Sequence, residues 1–276
     1  MTDRYAVIGN PIAHSLSPRI HTAFGEQTGE RIEYSAILAP LDGFRPTVEA
    51  FRAAGGRGLN VTVPFKLEAF ALADEASSCS KLAQAANFLR FDARGVRADN
   101  TDGAGLVRDI VHNRQVGIAG KRVLVLGAGG AARGVLMPLI EQQPILLAIA
   151  NRTVEKAMTL AEMFRHQPAA AATVLSAHRF EELAGHHFDV VINATSSSLQ
   201  GETPNLPDGI FAEGALAYDM MYGQGVTPFL ALAGKQGAAN LADGLGMLVE
   251  QAAESFYLWR GVRPDSAAVI ATLRGK

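Results

Sequence analysis

Cysteine is almost missing from this chain of 276 residues: Cys79 is the only one. That excludes a disulfide within the chain and points to a reducing, cytoplasmic setting. Long apolar runs are missing as well. The best candidate, Ile145 to Ala150, falls far short of the run of about 20 residues that a membrane-crossing helix needs. The early run Tyr5-Ala6-Val7-Ile8 is too short for the apolar part of a secretion signal. Neither a targeting segment nor a membrane partner is expected. Charge of one sign is also scarce, with 25 basic against 27 acidic residues, a net charge of −2 and no basic block, so nucleic acid is not an expected partner. The seven histidines lack ligand spacing; His186 and His187 are adjacent rather than one helical turn apart, and no metal is expected.

What remains is an ordinary globular composition, 48% apolar and long enough for two domains. Short β-rich runs at Tyr5–Ile8, Arg31–Leu38, Leu59–Val63, Arg122–Leu126, Leu146–Ala150, Val190–Asn193 and Ala215–Tyr218 alternate with stretches of helical spacing such as Pro18–Gly25 and Val154–Phe164. Such alternation predicts an α/β fold of parallel sheets covered by helices on both faces. A boundary falls near Asp102–Gly120, because Lys121–Leu126 restarts the pattern as a buried parallel strand. The alanine-rich stretch Pro168–Ala172 is expected to be a connection.

After that strand comes Gly127-Ala128-Gly129-Gly130-Ala131-Ala132, a match to G-x-G-x-x-A, followed by a predicted helix over Ala131–Ile140. The first glycine permits a tight turn, the second lets a pyrophosphate approach the backbone, and the small Ala132 lets helix and strand pack closely. A glycine string alone is weak evidence; here it has the strand before and the helix after that the motif requires. The next strand ends at Asn151-Arg152-Thr153, with Lys156 one turn further on. An NAD site would offer a carboxylate there for the ribose hydroxyl. A guanidinium instead suits a 2′-phosphate, so NADP(H) is the expected cofactor.

Three polar segments lie outside this half. In Gly9-Asn10-Pro11-Ile12-Ala13-His14-Ser15-Leu16-Ser17-Pro18, Pro18 suits a first helical turn, which makes Ser17 the expected N-cap; with Ser15 it places two hydroxyls where a carboxylate can bind. In Asn60-Val61-Thr62-Val63-Pro64-Phe65-Lys66, period two puts Asn60 and Thr62 on one face, and Lys66 opens a helix, where a cation opposes the helix dipole. In Asp99-Asn100-Thr101-Asp102-Gly103, Asp102 is either a plain N-cap for the helix Leu106–Val111 or part of a site. A helix beginning near Gly244 carries Met247 and Gln251 on one face at i, i+4.

Taken in order, G-N-P-I-x-H-S-x-S-P, N-V-T-V-P-F-K, D-N-T-D-G, G-A-G-G-A, N-R-T, N-A-T-S and D-G-L-G-M-L-V-x-Q-A resemble the shikimate dehydrogenase family along essentially the whole chain. The resemblance implies a substrate domain of residues 1–102 completed by C-terminal helices in 244–276, and a Rossmann-like NADP domain of residues 103–243. It implies Lys66 and Asp102 as the catalytic pair, with Ser15, Ser17, Asn60, Thr62, Asn87, Tyr222 and Gln251 holding the substrate. The cofactor contacts it implies are Gly127, Ala128, Gly129, Gly130, Ala131, Asn151, Arg152, Thr153, Lys156, Thr195, Met220, Gly244 and Met247. The implied activity is NADPH-dependent reduction of 3-dehydroshikimate to shikimate, a step of aromatic amino-acid biosynthesis, carried out by a monomer or homodimer. Two positions depart from the family pattern: Phe88 stands where a hydroxyl is common beside Asn87, and Ser198 where a glycine is usual. A quinate/shikimate dehydrogenase using NAD and a catalytically silent NADP-binding module are the competing readings; Arg152 counts against the first, and Lys66 with Asp102 against the second.

Overall fold

The computed structural model describes residues 2–195, 203–223 and 225–275. They divide into two compact units, one of residues 1–105 and 248–276, the other of residues 106–247. These divisions fall inside two helices, Asp102–Arg108 and Leu245–Arg260, a few residues from the expected boundaries at 102/103 and 243/244.

The first unit is built on a six-stranded sheet of Asp3–Gly9 (β1), Ile32–Leu38 (β2), Gly56–Val61 (β3), Glu75–Ala76 (β4), Phe88–Asp92 (β5) and Gly95–Asp99 (β6), in the order β2-β1-β3-β5-β6-β4. Period two sorts its side chains. Ala6, Ile8, Leu59, Val61, Leu89 and Phe91 face a cluster with Phe44, Val48, Phe51, Phe65 and Ala69 from the helices Phe44–Ala53 and Lys66–Leu72 and the turn before the latter. Tyr5, Val7 and Tyr34 pack with Ile12 and Trp259. A further cluster joins Ile20 and Phe24 of the helix Ser17–Thr28 to Val249, Ala252 and Phe256 of the C-terminal helix, so the last residues of the chain complete the unit formed by the first.

The sheet is not wholly parallel as the alternation suggested. β1 runs parallel with β2 and β3, but β5 is antiparallel to both β3 and β6. β5 and β6 form a hairpin whose turn ends at Gly95, with φ of 121° beside the Asp74 carboxylate. A two-strand hairpin needs no crossover helix, so it escapes a search for strand–helix alternation.

The second unit holds Arg122–Leu126 (β7), Leu146–Ala150 (β8), Val174–His178 (β9), Phe188–Asn193 (β10), Phe211–Asp219 (β11) and Asn240–Ala242 (β12). All its pairings are parallel, in the order β12-β11-β10-β7-β8-β9. This is the doubly wound order of dinucleotide-binding sheets, and the connection reverses direction between β7 and β10, where such sheets bind ligands beyond their carboxyl ends. Leu124, Leu126, Ala148, Val191 and Ala217 pack against Phe229, Leu230 and Ala233 of the helix Pro228–Lys235. The helices Gly130–Glu141 and Val154–Arg165 bury Val135, Leu136, Leu160 and Phe164.

Four local expectations are corrected. Ser17 is the first residue of its helix, not the cap; Leu16 occupies the cap with helical φ and ψ, and the Ser17 N–H donates to Ser15 Oγ at 3.3 Å. The strand expected to reach Val63 stops at Val61, since Val63 is 61% exposed and only main-chain bonds from Asn10 and Thr62 continue the pairing. The helix expected at Leu106–Val111 starts at Asp102 and widens to a π-helix over Asp109–Asn113. Pro168–Ala172 is a 3-10 helix, begun by a proline whose φ suits it. Among the described residues, no helix is long and apolar enough to cross a membrane, and no group of three or more His, Cys, Asp or Glu could hold a metal.

Candidate active site

In the first unit Lys66, Asp102, Asn87 and Gln251 converge near the ends of β3 and β6. Lys66 opens its helix and donates from Nζ to Asp102 Oδ2 at 2.5 Å. Asp102 likewise opens a helix, with its own N–H given to Asn100 Oδ1 and its other carboxylate oxygen taking Asn87 Nδ2 at 2.8 Å. The carboxylate thus bridges an ammonium and an amide, which settles the choice left by the sequence: its side chain serves the cluster rather than its own helix. Asn87, just before β5, is also 3.0 Å from Thr101 Oγ1 and 3.2 Å from Gln251 Oε1 through the same amide nitrogen, and its carbonyl oxygen accepts the Thr101 N–H at 2.8 Å. Three acceptors surround two amide protons, so one is always left over.

Lys66 keeps 30% of its side chain in solvent and Asp102 12%, so the pair is open on one side and walled on the others. A cation beside a carboxylate, open to a ligand and fixed by an amide, can hold and pass a proton at a defined point.

Asn60 is held by internal partners. It is buried and committed at both ends of its amide: Oδ1 accepts the Tyr34 hydroxyl at 2.8 Å, while Nδ2 meets Ser255 Oγ at 2.9 Å and Asn87 O at 3.3 Å. Thr62 is half-buried, with its methyl against Gly9, where any Cβ would collide with it. Ser15 is half-buried and Ser17 buried. Burial raises the Tyr34 hydroxyl well above its ordinary pKa, opposed by a hydrogen bond from Ser17. Beside Tyr34, stacked at 4.1 Å, lies His21, fully buried, with neither ring nitrogen hydrogen-bonded among the described residues. Desolvation, opposed by the nearby Asn60 amide, pushes its pKa down to about 3.

In the second unit the glycine turn has the geometry its sequence implied. Gly127 ends β7 with φ of 103° and donates to Ala150 O at 2.7 Å; a Cβ there would press on Thr195 and the Ala194 backbone. Thr195, following β10, is therefore beside the turn at the point where the strand order reverses. Ala128 is half-buried, whereas Gly129, Gly130 and Ala131 are exposed. Gly129 caps the helix Gly130–Glu141 with no side-chain hydrogen bond, and a Cβ on Gly129 or Gly130 would meet nothing within 4 Å. An exposed helix N-terminus with no side-chain cap and room beside its glycines suits a pyrophosphate. Ala132 is fully buried, as close packing of helix and strand requires.

At the end of β8, Asn151 donates to Thr153 O at 2.8 Å, and Arg152, Thr153 and Lys156 are exposed around the start of the next helix. The one acid in that first turn, Glu155, lies 3.7 Å from Arg179. These residues fit a 2′-phosphate. Beyond β11, Met220 N donates to Asn193 O and Gly244 N to Met221 O, each at 3.0 Å, and a side chain on Gly244 would collide with the Met220 carbonyl. Tyr222 is exposed in the same unit, its hydroxyl pKa raised by partial burial. Met247 is buried, with its N–H 3.3 Å from the Tyr218 hydroxyl.

Comparison with known proteins now decides the family. The profile described as Shikimate dehydrogenase substrate binding domain matches residues 7–89, Shikimate / quinate 5-dehydrogenase residues 109–201, and Shikimate 5'-dehydrogenase C-terminal domain residues 244–274. A shikimate dehydrogenase (NADP(+)) of Aromatoleum aromaticum is 63% identical over 273 residues, covering 99% of this chain and 97% of that one. The chain belongs to the shikimate dehydrogenase family. The crystal structure of shikimate 5-dehydrogenase from Thermus thermophilus with NADP(H) and shikimate is similar at 31% identity and a TM-score of 0.85, covering 99% of each chain. A 5-ketofructose reductase of Gluconobacter sp. strain CHM43 is similar at 26% and 0.86, covering 100% of this chain and 99% of that one. The shared architecture thus occurs with differently named ketone reductases, and the side chains must carry the distinction.

Of the two departures from the family pattern, Phe88 points away from the Lys66 cluster. Successive strand residues face opposite sides, and the Phe88 ring stacks on Trp259 at 5.1 Å while Asn87 faces Asp102. Ser196, Ser197 and Ser198 lie outside the described residues. Sequence reading missed a buried polar brace in the second unit. Asn193 and Asp219 are register partners at the ends of β10 and β11; Asn193 Nδ2 donates to Asp219 Oδ1 at 3.1 Å, its Oδ1 holds the Thr195 N–H and hydroxyl, and Thr227 donates to Asp219 Oδ2 at 2.6 Å. Asp109 was missed too. It accepts the Tyr218 hydroxyl at 2.7 Å, and a side chain on Gly246 would collide with its carboxylate. The available signal was a polar residue ending an otherwise apolar parallel strand.

Proposed function

We propose that this chain is an NADP-dependent shikimate dehydrogenase, reducing 3-dehydroshikimate reversibly to shikimate in aromatic amino-acid biosynthesis. The observation that carries the reading is the 2.5 Å pair of Lys66 Nζ and Asp102 Oδ2, braced by Asn87. In this reading residues 1–102 and 244–276 hold the substrate, and residues 103–243 hold the cofactor through Gly127 to Ala131, Asn151, Arg152, Thr153, Lys156, Thr195 and Met220, with Gly244 and Met247 from the start of the C-terminal segment added to them. The chain acts as a monomer or a homodimer. A cytoplasmic setting agrees with the single cysteine.

When bound, the nicotinamide supplies the hydride. Lys66 supplies the proton: its ammonium gives one to the ketone oxygen in reduction and recovers it in oxidation. Asp102 accepts a Lys66 N–H and thereby aims the ammonium, and Asn87 holds the carboxylate from its other oxygen. Ser15 and Ser17 offer hydroxyls to the substrate carboxylate, with Thr62, Tyr222 and Gln251 completing its contacts. A positioned acid/base group contributes about 10²–10⁴-fold, or roughly 3–5 kcal/mol.

Initial rates with shikimate and with quinate, each with NADP+ and NAD+, test the reading. Turnover is expected with shikimate and NADP+ well above the other three pairs. Equal rates with both cofactors would overturn the role given to Arg152, and no turnover with any pair would favour a silent NADP-binding module.

A further inference from the structure

Beneath the Lys66–Asp102 pair lies a second layer of polar groups, and at its centre is Ser255, which no motif marked. This residue is fully buried on the helix Leu245–Arg260. Its hydroxyl has one proton, which goes to Gln251 O at 3.0 Å, the preceding turn of its own helix. Towards everything else Ser255 Oγ has only lone pairs to offer. One receives Asn60 Nδ2 at 2.9 Å, and Thr101 Oγ1 lies 3.2 Å away.

The direction of the remaining bonds follows by counting protons. With the Ser255 proton committed, a bond between those two oxygens needs Thr101 as its donor, and there Ser255 competes with Asn87 Oδ1 at the same 3.2 Å and Gln251 Oε1 at 3.4 Å. Thr101 Oγ1 is then an acceptor towards Asn87 Nδ2 at 3.0 Å, and Asp102 Oδ1 takes the other amide proton at 2.8 Å. Both protons of Asn87 are used in its two shorter contacts. Gln251 Oε1, the longest at 3.2 Å, is the acceptor left over, while Gln251 Nε2 is occupied by Leu248 O at 2.9 Å.

We propose that Ser255 is a positioning residue that sets the proton order of this layer, keeping Asn87 turned to Asp102 and leaving the Gln251 side-chain carbonyl free to accept a ring hydroxyl of the substrate. The chain of bonds extends outward from Ser255 through Asn60 to the Tyr34 hydroxyl, so Tyr34 supports the same order one step further from the ligand. Without the Ser255 oxygen, the Thr101 hydroxyl turns its proton to Asn87 Oδ1 at 3.2 Å or Gln251 Oε1 at 3.4 Å, and the acceptor meant for the ligand is contested. The inference rests on the assignment of this cluster to shikimate, and the parent enzyme's own turnover of shikimate tests that assignment separately.

The experiment compares Ser255→Ala and Tyr34→Phe with the parent, using shikimate and a series of analogues each lacking one ring hydroxyl. A neutral hydrogen bond is worth a factor of about 3–10. Ser255→Ala is expected to raise KM for shikimate by about that factor, with kcat changed less than about threefold and KM for NADP+ unchanged. The penalty disappears for the one analogue whose missing hydroxyl is the one seated on Gln251. Tyr34→Phe keeps the ring on His21 and should give a smaller rise of the same kind, the double variant falling short of the product of the two. An equal penalty on every analogue, an unchanged KM for shikimate, or proportionate loss with substrate and cofactor alike would overturn the proposal. If Ser255→Ala fails to fold, the same ratios measured on Tyr34→Phe decide.

Discussion

In the first unit the candidate site consists of side chains that already hold one another: Lys66, Asp102, Asn87, Thr101 and Gln251 form one hydrogen-bonded group before any ligand arrives. In the second, the glycine turn offers main chain and open space, with exposed Arg152 and Lys156 at the next strand end. The difference matches the ligands. A dinucleotide brings phosphates that unfilled N–H groups and a helix N-terminus can bind without side chains. A small hydroxylated ring has to be told apart from its relatives by donors and acceptors fixed in number and direction, and a ligand lacking one leaves a buried group unpaired. In the proposed reading the first unit therefore stores its selectivity in a directed side-chain network with an acceptor left over for the ligand, the second in backbone shape and net charge.

The sharpest way to break the contrast is at Lys66. Lys66→Ala is expected to lower kcat by about 10²–10⁴-fold while NADP+ affinity, read by fluorescence titration, stays at the parent value; a kcat within about threefold of the parent would remove Lys66 from the proton step. Next comes Gly129→Ala. The new methyl meets no protein atom and φ is −85°, so melting temperature should not move, yet NADP+ affinity should fall about tenfold because the methyl stands where phosphate approaches. Equal affinity would mean that the turn does not face the pyrophosphate. Gly244→Ala should differ in its first effect, since its methyl collides with the Met220 carbonyl: the fold itself should lose stability, read as a lower melting temperature.

Arg152→Ala should weaken NADP+ by about tenfold and leave NAD+ unchanged, the lower end of a charge-assisted bond because the site is exposed. Equal weakening of both cofactors would show a contact with something other than the 2′-phosphate.

The smallest effect on activity, though not on stability, concerns His21. Its folded pKa of about 3 lies below the ordinary 6.5, so the native state keeps it neutral while the unfolded chain takes a proton below pH 6.5. Stability from this group is complete above pH 6.5 and is lost as pH falls from there towards 3, at up to about 1.4 kcal/mol per pH unit. His21→Phe, which keeps an aromatic ring against Tyr34, should flatten that part of the stability–pH curve. Parallel curves for the two proteins would show that acid acts elsewhere.

The two units also differ in how far they could be read in advance. β7 and β8 have the expected limits, Gly127 makes the tight turn and Ala132 packs against the strand as the motif implies, because a turn and the helix after it are set within a few residues. In the first unit, Lys66 and Asp102 were recognisable from the resemblance, as residues opening helices. For Asn60, strand period gives a face but not what covers it; here the cover is Tyr34 from β2 and Ser255 from the last long helix. The β5–β6 hairpin and the pairing of Asn193 with Asp219 also depend on strand neighbours.

By itself, the amino-acid order determined the dinucleotide turn and its fit to a 2′-phosphate, because each depends on residue type within a short segment, whereas Lys66 and Asp102 were singled out through the family resemblance. Only the tertiary structure decided which hydroxyls and amides brace that pair. Asn87 meets Gln251 across 164 positions and Asn60 meets Ser255 across 195. Whether a buried amide gives its protons to a ligand or to the protein depends on which distant acceptors packing brings within reach.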